Sequence, residues 1–303
     1  MSKRWPLNII QKIPKPRKYN GRALGEVIRD IKLDGMRVIV SPTGAYSTRV
    51  SDVTGEYERV VGWNPMERVP GGIPEGAAYD GELWVPGGHA SSISTLLAEG
   101  RGNELAFEPW TVLWWQGKDL RRQSTIERRR LLRSEAWPTT MFEIDTTHHV
   151  DVEQDLADAE QHNYEGWVYK EPGGWWGEGW WKIKVTKTVD CVVTGVQRGR
   201  VGQHRDRVGA LHVSVRKGDE WIEVAKIGSF TMAVREELTQ VFRGVLTGLE
   251  PGLSVYFPGP QPGVAVCEVE YDCLAANGRL RFPRFKRWRH DKKEDECPYD
   301  QLA

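Results

Sequence analysis

Lys32 lies in the run RDIKLDGMRVIV, with Ile31 before it and Leu33 after it. A lysine amine is protonated and inert at neutral pH; desolvation or nearby positive charge must lower its pKa before it can attack anything. Ile31 and Leu33 can supply apolar walls, and Arg37, Lys182 and Lys184 can supply charge. Gly35 lets the strand turn without a Cβ clash and present the amine at a pocket. YDGELWV puts Asp80 and Glu82 on one face of a strand, because alternate residues share a face. EGWVYK contributes Glu165 and Lys170, and WWKIK puts Lys182 and Lys184 together on the next strand. Two separated glutamates can hold a divalent metal, and lysines can neutralise charge as pyrophosphate departs. KxDGxR alone is short enough to arise by chance, and two alternate lysines alone read as the outer face of an edge strand. Their occurrence together, in this order, points to phosphate chemistry.

The elements that must position these groups can be read in outline. MRVIV, AYSTR, YDGELWV, PWTVLWW, EGWVYK and WWKIKV have the β-branched and aromatic content of strands, with Gly, Pro and Ser turns between them. YNGRALGEVIRD reads as a short helix behind an N-terminal tail, and SSISTLLAEG as another short helix. Ser124 with Glu127 three residues on forms a capping box that opens the helix IERRRLL. DVEQDLADAEQHN is an amphipathic helix. Beyond Val189 helices nearly vanish: CVVTGV, ALHVSVRK, WIEVAKIG and AVCEVEYD are short strands interrupted by one helix, VREELTQVFRGV. That pattern suggests a small barrel of the oligonucleotide-binding (OB) kind, with a boundary near residues 187–190.

Composition narrows the class. A chain of 303 residues with 39% hydrophobic and 28% charged residues can form one large or two ordinary soluble domains. No stretch has the length or apolarity of a membrane span, and the N-terminus lacks the apolar core of a signal peptide. Cys191, Cys267, Cys273 and Cys297 have no CxxC spacing, so they read as reduced thiols in a cytoplasmic protein. Basic and acidic residues balance at 42 each, but KIPKPRK, RGRVGQHRDR and RLRFPRFKRWRHDKK are basic strips. A neutral protein can still bind nucleic acid through such a face. His148 and His149 beside Asp151 could form a metal pair but read better as a solvated loop, and most of the fourteen tryptophans fall in strand patterns as core residues.

Together these motifs resemble those of the ATP-dependent DNA ligases of the covalent nucleotidyltransferase superfamily, over residues 28–293. KLDGMR resembles the motif whose lysine becomes adenylated, making Lys32 the nucleophile and Arg37 a phosphate or nick contact. Asp30 and Ile31 just before it fall among the nucleotide contacts, although the family more often has Glu at position 30. By resemblance Arg49 would touch the nucleotide sugar or the nick 5′-phosphate, Trp110 would stack on adenine, Glu82 would lie near the ribose or hold metal, and Glu165 would hold metal. Thr111 stands where the family usually has Asp. Lys182 and Lys184 would complete the triphosphate site, and Arg289, Asp291 and Lys292 would meet pyrophosphate.

The fold implied is α+β: an ATP-grasp-like nucleotidyltransferase domain of antiparallel sheets with flanking helices over 1–188, then an OB-fold barrel over 189–303. The resemblance implies ATP as co-substrate, carried as AMP on Lys32, Mg²⁺ with Mn²⁺ as a substitute, and nicked duplex DNA as partner. It implies a monomer with no membrane contact, serving repair, replication or recombination. An RNA ligase or an mRNA-capping guanylyltransferase shares KxDG and KxK, and a degenerate OB protein that merely binds nicks is a third reading. The RGRVGQHRDRVG loop is the further candidate for DNA-backbone contact, since arginines on exposed loops reach phosphates.

Overall fold

The structure is a computed structural model and describes residues 2–69, 71–88, 90–137, 140–143, 145–148, 150–162, 164–257, 266–275 and 277–302. The chain divides into two compact units, Met1–Val185 and Thr186–Ala303.

In the N-terminal unit, the run MRVIV forms the middle of the strand Gly35–Ser41, where Val38, Ile39 and Val40 are all fully buried. An unbroken buried run means that both sheet faces are covered. Val38 and Val40 pack with Tyr79, Leu83 and Val112, while Ile39 points the other way toward Leu113, Trp114 and the N-terminal Ile10 and Ile13. This strand pairs antiparallel with Gly44–Val50 on one side and Ala78–Trp84 on the other, and Ala106–Trp115 follows, within a six-stranded sheet. The residues read as a free tail therefore cover one face of this sheet: Trp5 packs edge-on against Trp114 at 5.8 Å.

A second, five-stranded sheet brings together Arg17–Lys18, Trp180–Lys184, Gly166–Lys170, Val27–Ile31 and Thr146–Thr147. Here the structure corrects the expectation of a helix over YNGRALGEVIRD. Val27–Ile31 is a strand, with Val27 and Ile28 fully buried, because pairing with Gly166–Lys170 outweighs any local helix preference. The helix Thr125–Leu131 starts at the expected capping box: Ser124 Oγ accepts from the Glu127 N–H at 3.3 Å, and the Ser124 N–H donates to Glu127 Oε2 at 3.0 Å. Val152–Gln161 is the expected amphipathic helix, with Asp151 as its N-cap.

The C-terminal unit is built on the twelve-residue strand Lys187–Arg198. Its first half pairs with Val266–Tyr271 and its second half with Ser254–Tyr256, and irregular register against Val208–Lys217 bends it. Glu220–Ile227 and Arg284–Trp288 extend the sheet at its two ends. Cys191, Val193, Leu211, Val213 and Val269 fill its interior, closed by Leu238 of the helix Met232–Val241. No helix among the described residues is long and apolar enough to cross a membrane.

Candidate active site

The two sheets of the N-terminal unit border a pocket of about 280 Å³. Lys32 leaves the strand Val27–Ile31 at its end, anchored by its N–H donating to the Gly166 carbonyl at 2.9 Å. Its Nζ contacts Glu165 Oε2, and the other oxygen of Glu165 contacts Lys184 Nζ. One carboxylate thus joins two of the expected cations. Gly166 beside it has φ +146, and a Cβ there would come to 2.2 Å of the Ile183 carbonyl oxygen, so only glycine fits the crossing.

Gly35 answers for the second half of the motif. A Cβ at Gly35 would stand 2.5 Å from Glu82 Cγ and 2.6 Å from the Leu83 carbonyl oxygen, so the glycine exists to let Glu82 lie against the backbone. Asp34 Oδ2 accepts from the Ala90 N–H at 3.1 Å and so ties the loop to the next element. Burial pushes the Glu82 carboxyl up to about 8, with Lys32 and Arg37 pulling against it and Glu165 and Asp80 adding to it. Lys182 is held below its ordinary value by burial first and then by Lys32 and Lys184.

The pocket's floor is a buried charge network. Asp30 accepts from Arg129 Nη2 at 2.7 and 3.0 Å and from Lys170 Nζ at 2.5 Å, which keeps its carboxyl below the usual range against the opposing pull of burial. Arg129 also donates to the Trp110 carbonyl at 2.9 Å, so it fixes the aromatic wall and the carboxylate together. Lys170 Nζ lies 5.3 Å from the Trp110 ring and 4.9 Å from the Trp180 ring. The indole N–H groups of Trp110 and Trp180 are buried without an acceptor among the described residues.

Asp30, Ile31, Lys32, Arg37, Glu82, Trp110 and Lys182 therefore all border one pocket, with Glu165 and Lys184 joined to Lys32 by the shared carboxylate. Two expectations, those for Arg49 and Arg37, need correction in detail. Arg49 is exposed at the end of its strand, and its neighbour Thr48 lines the pocket instead. Arg37 is not free for a phosphate: Nε and Nη2 donate to Asp80 at 2.8 and 2.6 Å, and Nη1 donates to the Pro14 carbonyl. The tryptophan-rich hairpin supports that pair, Trp176 Nε1 donating to Asp80 at 2.7 Å. Arg289 and Lys292 lie in the C-terminal unit, where Asp190 accepts from Arg289 Nη1 at 2.9 Å and from Lys292 Nζ at 2.6 Å. Sequence reasoning assigned no role to Lys15, Thr48, Phe142 or Arg129, although Lys15 falls in the basic strip KIPKPRK; Trp180 belongs to the stretch EPGGWWGEGWW, whose indoles read as packing on the adenosine rather than closing a lid. His149 lies outside the described residues, and His148 is 83% exposed, as expected of a solvated loop.

Glu82 and Glu165 do not make a metal cage: among the described residues no group of three or more His, Cys, Asp or Glu could hold a metal ion. Two carboxylates beside a phosphate site do fit Mg²⁺, which is usually held by one or two carboxylates plus substrate oxygens.

The N-terminal unit has two mainly antiparallel sheets around the pocket and the C-terminal unit a curled antiparallel sheet, the arrangement of a nucleotidyltransferase-type fold followed by an OB-type fold. Residues 204–292 match the family described as the ATP dependent DNA ligase C terminal region. The chain is 28% identical to a probable DNA ligase of Anaeromyxobacter sp. (strain Fw109-5), covering 91% of this chain and 57% of that protein. It is 26% identical to DNA ligase 1 of Methanosarcina barkeri, covering 96% of this chain and 62% of that protein. The chain thus spans about three-fifths of the length of these relatives. Among solved structures, one described as a structure–function analysis of Lig E DNA ligases, DNA binding with a minimal scaffold, matches with a TM-score of 0.64 at 16% identity, covering 92% of this chain and all of that one. The chain is thus similar in fold to that solved structure and, over residues 204–292, similar in sequence to the C-terminal region of ATP-dependent DNA ligases.

Proposed function

We propose that the protein is an ATP-dependent DNA ligase that seals nicks in duplex DNA. The observation that carries this reading is Lys32 held by Glu165 at a tryptophan-walled pocket that Lys15, Lys170 and Lys182 also line. Lys32 Nζ attacks the α-phosphorus of ATP, Glu165 takes its proton, and a phosphoramide bond forms as the bond to pyrophosphate breaks. Lys182 and Lys184 stabilise the charge that develops on the phosphates, and Asp30, Lys170 and Arg129 fix the nucleoside end against Trp110. A 5′-phosphate at a nick then displaces Lys32 from the adenylyl group, and the 3′-hydroxyl displaces AMP to close the strand. These steps depend on in-line placement and charge neutralisation rather than on a strong base. Mg²⁺, held by Glu82 and Glu165 with substrate oxygens, would supply further neutralisation of phosphate charge. Arg289 and Lys292 serve the pyrophosphate in the first step. A monomer acting in the cytoplasm on nicked duplex, in repair, replication or recombination, belongs to the same proposal.

Incubating the protein with α-labelled ATP and Mg²⁺ and then adding nicked duplex tests it. Label on the wild type but not on Lys32→Ala, chased off as the nick closes, is the expected result. Label that persists with nicked DNA and leaves with nicked RNA would replace the substrate, and labelling by GTP alone would indicate a guanylyltransferase. Nick binding without any label would leave only a nick-binding protein.

A further inference from the structure

The basic strip KIPKPRK has no part in the chemistry above, yet its middle lysine stands at the pocket: Lys15 borders it together with Lys32 and Lys182. The backbone on both sides of Lys15 is fixed. Before it, Ile13 is 4% exposed and its N–H donates to Tyr57 Oη at 2.8 Å. The Pro14 carbonyl accepts from Arg37, and the Pro14 ring lies so close to Gly177 that a Cβ there would come to 2.1 Å of it. After it, Arg17 and Lys18 pair in parallel with Trp181 and Lys182, and the Tyr19 N–H donates to the Lys182 carbonyl at 3.0 Å. The N-terminal segment is thus sewn to the strand that carries Lys182.

Charge pairing then says what Lys15 is for. Lys32 and Lys184 share Glu165, Lys170 is paired with Asp30, and Arg37 with Asp80. Lys15 and Lys182 are the pocket's cations without an ion pair among the described residues. They lie close enough that Lys15 adds to the repulsion holding down the Lys182 pKa. Two ammonium groups that line one recess with no ion pair among the described residues are complementary to an anion.

We propose that Lys15, delivered by the N-terminal segment, is a phosphate-binding residue that contacts the nucleotide's polyphosphate alongside Lys182. This rests on the adenylation reading above. A nick 5′-phosphate offers the same chemistry; the place beside Lys182, on the nucleotide pocket itself, favours the nucleotide.

The test uses the full chain. Fluorescence of the pocket tryptophans is titrated with ATP and with AMP, adenylation of Lys32 is followed against ATP concentration, and closure of a pre-adenylated nick is timed. For Lys15→Ala, ATP binding weakens about 10- to 100-fold, the range of one lost charged hydrogen bond, while AMP binding holds. The KM for ATP rises with little change in kcat, Lys15→Arg restores it, and closure of the pre-adenylated nick keeps its rate. Unchanged ATP affinity overturns the proposal, and so does an equal loss for AMP, which would make Lys15 a structural residue. Loss confined to closure of the pre-adenylated nick would assign Lys15 to the nick phosphate and overturn the nucleotide assignment. A wild type that binds ATP but takes no label would instead sink the adenylation reading, with the ATP-against-AMP comparison still deciding Lys15.

Discussion

Glu165 sits between Lys32 and Lys184, so it controls when Lys32 can act. Glu165→Gln keeps the shape and removes both the proton acceptor and the charge. The expected outcome is a fall of about 10²- to 10⁴-fold in the rate of Lys32 labelling, the usual size of a lost general base, with an unchanged melting temperature. Gly35 is a steric requirement, since any Cβ collides with Glu82 and the Leu83 carbonyl. Gly35→Ala should destabilise the fold by about 1–3 kcal/mol and displace Glu82, read as a lower denaturant midpoint together with slower labelling. Lys170 gives a pH signature. Burial pulls its ammonium from 10.5 down to about 8, with Asp30 resisting. Between those values the unfolded chain binds more protons than the folded one, so this site's contribution to stability rises as pH climbs through the window. Denaturant midpoints should show that rise in the wild type and a flatter profile in Lys170→Met; identical slopes would refute the assignment.

At the level of elements, most of what positions the site was legible before the structure was seen. Strands such as Gly35–Ser41 announce themselves because burial on both faces demands unbroken β-branched runs, and the helix at Thr125 because a capping box is a local device. The strand Val27–Ile31 was not legible, since it owes its form to partners more than a hundred residues away in sequence, and the N-terminal cover over Ile39 is likewise fixed by tertiary packing. Separation along the chain also hid the Arg37–Asp80–Trp176 cluster, whose three members come from three separate segments. Thr111 was legible as a departure, and the structure shows its consequence. Arg128 is fully buried, its Nε donates to Thr111 Oγ1 at 3.1 Å, and its other hydrogen bonds go to Thr125 and the Gln123 carbonyl. Among the described residues no salt bridge compensates it, and burial draws its pKa down to about 10. Thr111→Asp should supply the missing carboxylate and raise stability by about 1–3 kcal/mol at neutral pH. A lower melting temperature for Thr111→Asp would mean that Asp80 already satisfies this guanidinium.

For the whole molecule, the division of labour follows from which residues border the pocket: all of them belong to the unit that ends at Val185. In the proposed reaction the nucleoside end rests on Trp110, Trp180, Lys170 and the Asp30–Arg129 pair, all of them in the N-terminal unit. That unit contributes Arg289 and Lys292, but both are tied to Asp190, and Arg289 Nε and Nη2 also donate to Asp291 at 2.9 and 2.7 Å. Two cations paired with two carboxylates carry no net charge, so this cluster offers pyrophosphate little until a carboxylate moves aside. Asp291, with a side chain 66% exposed, is free to do so, whereas Asp190 at 9% is not. Binding and chemistry should therefore separate when the units are separated. A fragment of residues 1–185 is expected to bind ATP within about tenfold of the full chain by tryptophan fluorescence, while its adenylation rate falls by at least 10²-fold, the cost of losing transition-state charge stabilisation. Full-length Arg289→Ala should show the same split, with closure of a pre-adenylated nick preserved. Loss of ATP binding by the fragment would show that the nucleotide site needs the second unit, and an undiminished adenylation rate would remove Arg289 and Lys292 from the first step.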